Sequence, residues 1–250
     1  MTKATVIKIF LRSLFIHTTL NFRRMQNIGF ALSIIPLIRH WQKQHKDVKK
    51  ILLRHLQMFN THPYFSASII GSIVRLELDC ADTNSIPDAM AVKQSLMGPY
   101  AAIGDIYFWG SLRPFSAVFA VVLAYGGLII APMAFLLIYT PSHIWVRCRG
   151  FIESYRRGKQ GIEFIRIMDL PSTAIKIRWC SILILAGLAH WLLQIGAGTM
   201  ANTSGAIVKL TALGVIVACF WLINKGISQV YILYSSAAIF LFISWKDLLK

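Results

Sequence analysis

Acidic side chains are scarce in this 250-residue chain. Ten Asp and Glu stand against 26 Lys and Arg, a formal net charge of +16. Charged residues of both signs make up only 14% of the sequence, too few to cover the surface of a soluble domain of this size. Cysteine is sparse as well. Cys80, Cys148, Cys180 and Cys219 are widely spaced, with no C-x-x-C pair and no metal-ligand spacing, so they read as free structural thiols. The chain also lacks a Walker loop, a Gly-rich nucleotide fingerprint, an H-E-x-x-H helix and a Ser/His/Asp set. Those absences leave no catalytic residue, no cofactor and no metal to assign.

Apolar residues dominate what is there. They form 56% of the sequence, the mean hydropathy is +0.59, and several runs reach membrane length. An all-α, polytopic integral membrane protein follows. Its Lys and Arg lie between apolar runs instead of forming one patch on a nucleic-acid-binding motif. They are expected to form basic cytoplasmic loops facing anionic lipid, not a nucleic-acid interface.

Taken in order, residues 5–20 are amphipathic, with Lys8 and Arg12 on one helical face opposite Ile7, Phe10, Leu11, Leu14 and Phe15. This suits a helix lying in the membrane interface or one packed on another subunit. Lys8 and Arg12 interrupt the apolar part, and no small-residue site follows, so a cleavable signal is not expected. Residues 25–38 are uncharged but too short to span, and contain Gly29 and Pro36; they read as re-entrant or interfacial. Residues 39–54 form a basic stretch, read as a cytoplasmic amphipathic helix, with Asp47 its only acid. We divide the chain into interfacial helices over 1–58 and a membrane core over 59–250.

Residues 60–74 repeat a pattern of polar opening, proline and short apolar run, with Asn60 as a candidate N-cap. Residues 75–90 carry Glu77, Asp79, Asp82 and Asp88 and read as a polar loop. About four C-terminal spans are expected: residues 115–139, 179–195, 207–223 and 227–245. A basic cytoplasmic loop covers 147–178 and an uncharged external turn 196–205. Lys209 is expected to snorkel from the end of its span.

The central stretch is SLMGPYAAIGDIYFWGSLRP, residues 95–114. Gly98-Pro99 should break a helix, Gly104 precedes the lone carboxylate Asp105, and Gly110, Arg113 and Pro114 close the segment. An acid at membrane depth costs about 3 kcal/mol and faces protein or a wet cavity. Broken helices at that depth obey the same restriction. The expectation is therefore a re-entrant or discontinuous segment at a solute site, with Asp105 and Trp109 one helical turn apart.

This stretch resembles the LMGPLAGxGDxxFWGxxRP motif of the IID component of mannose-family sugar phosphotransferase systems. Two more matches precede it in the family's order: NFRRMQNIGF over 21–30, and RHLQMFNTHPY over 54–64. The resemblance implies a non-enzymatic membrane subunit that pairs with a IIC subunit, in an oligomer of such pairs, in the bacterial inner membrane. Together they would bind a hexose-type sugar, which the soluble IIA and IIB subunits phosphorylate during uptake. Asn60 and Asp105 are candidates to hydrogen-bond sugar hydroxyls, and Trp109 to form an apolar wall. Each also has a plainer reading: helix capping for Asn60, an ion pair with Arg113 for Asp105, packing for Trp109. Glu77, which matches the first acid of the family's Leu-Glu-Glu, is a further sugar-binding candidate and otherwise reads as a solvated loop acid; Leu78 departs from that pattern. Asn21, Arg24 and Gln26 belong to the first motif, where Gln26 and Asn27 could instead tie a broken helix together. His62 reads as structural, and His190 as hydrogen-bonded to a neighbouring helix.

The main departure is Arg23, where the family has an acid. It keeps a second reading open: a degenerate IID-like subunit that senses sugar or recruits regulators without transport. An unrelated channel or structural membrane protein is the third.

Overall fold

A computed structural model describes residues 1–42, 48–83, 89–199 and 205–248. They are almost wholly helical, and no strand is formed among them. By internal contacts they form two units, Met1–Leu185 and Ala186–Lys250.

In the first unit, α1 (Lys3–Ser13) begins at Thr2, whose hydroxyl accepts from the Thr5 backbone N–H. A loop leads to α2 (Asn27–Gln42), which runs through Pro36. Pro36 has no N–H to offer the carbonyl of Leu32. Arg12 of α1 supplies the missing donor, Nη1 to Leu32 O at 3.1 Å. Residues 27–42 can therefore stay helical. The basic stretch is split between the end of α2 and α3 (Val48–His55), and Asp47 lies outside the described residues.

The core is built on α4 (Ser66–Thr83) and α7 (Ala131–Arg157), the most extensively packed pair. Small residues bring their backbones together. A methyl group on Gly71 would stand 2.7 Å from Phe151 O, and one on Gly150 would stand on the Ser68 hydroxyl. Ser72 Oγ donates to Gly158 O at 3.0 Å. This is the small-xxx-small solution to helix packing in an apolar solvent, where close approach replaces hydrophobic drive.

Three expectations are corrected here. Residues 75–83 are not a polar loop; they finish α4, while residues 84–88 lie outside the described residues. Asn60 caps no helix: α4 starts at Ser66, and the Asn60 backbone N–H points to Met97 Sδ at 3.4 Å. The segment 95–114 is not broken. Helix α5 (Ala89–Gly104), an eight-residue π-helix (Asp105–Leu112) and α6 (Arg113–Tyr125) run on without interruption.

Ala89–Tyr125 and Glu163–Ile195 are the helical segments long and apolar enough to cross a membrane among the described residues. The expected span over 115–139 is instead divided at residues 126–130, where Gly127 adopts a positive φ of 77°. The expected basic loop over 147–178 is helical: the end of α7, a 3₁₀ turn (Gly158–Gly161), α8 (Ile162–Ile167) and the start of α9 (Leu170–Thr199).

In the second unit, α10 (Gly205–Asn224) and α11 (Gln229–Leu248) are apolar around their whole circumference and expose Leu213, Phe220, Phe240 and Phe242. Helices apolar all round suit a hydrocarbon surrounding. Each is 20 residues long, and among the residues whose side chains are described their apolar stretches are Leu210–Asn224 and Gln229–Phe242. Between them Lys225 Nζ lies 4.0 Å from the Trp221 ring centroid, and Gly226 takes φ +85°. His190 pairs with Gln194 one turn further along its own helix (3.4 Å), not with a neighbouring helix. The expected external turn over 196–205 is shorter than that: residues 196–199 finish α9 and Gly205 opens α10, while residues 200–204 and the side chain of Lys209 lie outside what is described.

Candidate functional site

The three motifs meet in the first unit. In the first, Asn21 and Met25 exchange backbone hydrogen bonds of 3.0 and 2.9 Å, and Met25 takes a left-handed φ of 56°. The Asn21 amide ties this turn: Oδ1 accepts from the Arg24 backbone N–H at 2.8 Å, while Nδ2 donates to Met25 O and Asn27 Oδ1. The second motif docks on it. Gln26 is buried, and its side-chain amide pairs like a peptide with Thr61. Its Nε2 donates to Thr61 O at 2.7 Å, and its Oε1 accepts from Thr61 N–H at 3.2 Å. Arg24 Nη1 and Asn27 Nδ2 both donate to Leu56 O. Arg24 is thereby engaged without an acid at position 23, and Arg23 stands exposed beside it.

The third motif closes on His62. This imidazole is buried and stacks on Phe108, with ring centroids 5.4 Å apart. Trp109 leans against it at 4.6 Å. Gly104 is the close-approach point, since a methyl group there would sit 2.2 Å from His62 Cγ. Only glycine lets the ring lie on the α5 backbone. His62 Nδ1 accepts from the Tyr64 backbone N–H at 3.3 Å, and its buried Nε2 has no partner.

The π-helix carries Asp105 and Trp109. Such wide turns need extra support for their carbonyls and mark functional sites. Ser111 Oγ donates back to Ile106 O at 2.7 Å. Gly110 O has no donor four residues on, because that residue is Pro114. Arg178 of α9 donates from Nε to Gly110 O at 3.3 Å and to Ser111 Oγ at 2.9 Å. Gly110 leaves room for that guanidinium, since a methyl group would stand 3.1 Å from Nη2.

Asn60, Asp105 and Trp109 are all exposed, and Trp109, 45% accessible, borders the buried ring cluster through His62. Among the described residues Asp105 makes no ion pair, with Arg113 or with any other cation. Gly98 and Pro99 are exposed on α5 and do not interrupt it.

Glu77 is not a solvated loop acid. It is 3% exposed, on α4. Its carboxylate accepts from Arg54 at 2.7 and 2.5 Å and contacts His55 Nε2 at 2.9 Å. Burial pushes the His55 imidazole below its ordinary pKa, while Glu77 pulls it up. The fully buried Lys93 of α5 completes the group. Its Nζ donates to His55 O at 3.0 Å and lies 4.0 Å from the Phe30 ring centroid.

A further cluster was not singled out from the sequence. Tyr139, His143 and Arg147 follow one another at i, i+4 and i+8 on α7, and that spacing is the signal that could have found them. Tyr64 joins them: its hydroxyl is 3.0 Å from that of Tyr139, its ring stacks on His143 at 4.6 Å, and Arg147 lies over it at 4.6 Å.

Several known proteins share this architecture. The mannose-specific EIID component of Escherichia coli (strain K12) is 34% identical over 161 residues, covering 63% of this chain and 57% of that relative's length. The fructose permease IID component of Bacillus subtilis (strain 168) is 28% identical over 253 residues, 93% of this chain and 92% of the relative. A solved membrane protein superposes with TM-score 0.74 at 25% identity, covering 96% of this chain and 95% of the other. The mannose transporter ManYZ, solved in complex with microcin E492, has a chain that superposes with TM-score 0.59 at 26% identity over the same shares. The family model for the PTS system mannose/fructose/sorbose family IID component matches residues 1–249, and the chain belongs to that family.

Proposed function

We propose that this chain is the membrane IID subunit of a sugar phosphotransferase system and forms, with a IIC subunit, the translocator for a hexose-type sugar. IIB, charged by IIA, phosphorylates the sugar as it is taken up. The chain presents a hydroxyl for that transfer and carries no phosphate itself, so alone it is not an enzyme. It resides in the bacterial inner membrane as a multi-pass protein, in an oligomer of IIC–IID pairs.

The observation that carries this reading is the contact between three separated motifs: Gln26 pairs with Thr61, and His62 packs on Phe108 and Trp109. Asn60 and Asp105 offer an acceptor-rich pair for hydroxyls. Trp109 offers an aromatic face for C–H groups, over a floor of His62 and Phe108. The π-helix supports it, because it places Asp105 and Trp109 together on one widened turn. Glu77 acts at a distance in this reading, holding Arg54 and His55 behind the second motif.

The test is phosphoenolpyruvate-dependent sugar phosphorylation in inside-out vesicles, with this chain co-expressed with IIC and the soluble donors. Activity that disappears without this chain, or on Asp105→Ala in an assembled complex, supports the reading. An assembled complex inactive on every hexose, amino sugar and acidic sugar tried overturns it. The exposed Arg23 favours the regulatory alternative. In a degenerate subunit Arg23→Glu restores transport; in one adapted to a different substrate it impairs transport.

A further inference from the structure

Between α1 and α2 lies a cavity of about 750 Å³. Lys8 and Arg12 line it from α1, and Arg39 and His40 from the last turn of α2. Among the described residues no carboxylate lines the cavity. None of these four side chains makes an ion pair among the described residues. Arg12 is also fixed in place, because its Nη1 donates to the Leu32 carbonyl that Pro36 leaves free. A rigid cation in a site of one sign is built for an anion.

The walls say which kind of anion. Leu11, Ile35 and Pro36 line the same cavity. Leu11 is also the middle member of an exposed apolar stripe, Ile7, Leu11 and Phe15, at 57%, 50% and 64% accessibility. On α2 the exposed Ile28 and Leu32 lead into Ile35 in the same way. A soluble anion gains nothing from these surfaces, whereas an acyl chain does.

We propose that this cavity is a binding site for an anionic phospholipid. Lys8, Arg12, Arg39 and His40 take the phosphate and the apolar stripes take the upper acyl chains. A zwitterionic headgroup fits poorly, because its ammonium would enter a site that is already cationic. The site does not depend on the transport reading.

The test is native mass spectrometry of the delipidated full-length chain, titrated with phosphatidylglycerol, with phosphatidylcholine of the same acyl chains, and with soluble glycerol phosphate. Phosphatidylglycerol should bind at least about tenfold more tightly than phosphatidylcholine, and the preference should disappear in Lys8→Gln/Arg39→Gln. That variant spares Arg12 and so spares the support of α2. Arg166→Gln, an exposed cation on α8, should keep the preference. Equal binding of both lipids, or an unchanged preference in Lys8→Gln/Arg39→Gln, overturns the proposal. Displacement by glycerol phosphate at matched concentration also overturns it, in favour of a soluble phosphate ligand. Protection of Lys8 from acylation by an acidic soluble protein, and not by lipid, would turn the site into a protein-docking surface.

Discussion

Arg178 donates to the carbonyl of Gly110, four residues before Pro114, which has no N–H to give. The same arrangement occurs elsewhere in the first unit, where Arg12 serves Leu32 in front of Pro36. In each case an arginine from another helix donates to a carbonyl four residues before a proline. A proline in a helix interior costs about 3 kcal/mol when nothing compensates it, and hydrogen bonds to charged groups recover about 1.5–3 kcal/mol. Arg178→Gln should therefore lower thermal stability in detergent by about 1–2 kcal/mol and reduce sugar phosphorylation. Arg178→Lys, which keeps one donor, should lose less. A melting temperature unchanged in Arg178→Gln would show that the π-helix holds without this support.

Gly104 and His62 share one space. A methyl group at Gly104 would overlap the imidazole, so Gly104→Ala should displace the ring from Phe108 and unsettle Asp105 and Trp109 beside it. Overpacking of this kind costs about 1–3 kcal/mol. Gly104→Ala/His62→Ala should recover part of that stability, since the clash is gone. A double mutant no better than the sum of the two singles would argue that the ring and the glycine do not interact.

Glu77 is the carboxylate that pairs with Arg54 and His55 among the described residues. Removing one partner of a buried pair leaves the other charge uncompensated, at about 3–5 kcal/mol for a fully buried pair. Arg54 is 23% exposed, so solvent screens part of this and about 2 kcal/mol is expected for Glu77→Gln. Thermal melting in detergent reads it directly. Sugar phosphorylation should fall with the folded fraction and not beyond it.

The same group predicts a pH dependence. His55 is buried as the neutral imidazole, with its pKa lowered. Unfolded, it takes up a proton near about pH 6.5; folded, it does so only at lower pH. Between those values the unfolded state holds more protons, so stability is complete above about pH 6.5 and declines as the pH falls below it. The melting temperature should drop between about pH 7 and about pH 5.5, and His55→Gln should flatten that slope. An identical slope in the variant would assign the dependence to other groups.

Gly71 and Gly150 test the α4–α7 contact. A methyl on Gly71 meets the Phe151 backbone, which cannot rotate away, whereas a methyl on Gly150 meets the Ser68 hydroxyl, which can. Gly71→Ala should therefore destabilise by about 1–3 kcal/mol and Gly150→Ala by less. Melting temperatures in one detergent decide the order.

Composition, apolar runs and three ordered motifs determined the membrane class, the helical fold and the family. Those are properties of local pattern, and membrane length and binary charge content report them directly. The motifs also marked Asn60, Asp105 and Trp109 before any geometry was known. What tertiary structure alone decided is how the exceptions resolve. Gly98-Pro99 read as a break and Pro114 as the close of its segment, because a sequence shows a missing N–H but not that the helix runs on past it, as α5, the π-helix and α6 do. Glu77 read as a solvated acid, because its partners Arg54 and His55 come from α3, a different helix. His62 looked unremarkable until Gly104 was seen lying against its ring. In each case the energy of a polar or strained group depends on what the fold brings to it, and that pairing is not encoded in nearby sequence.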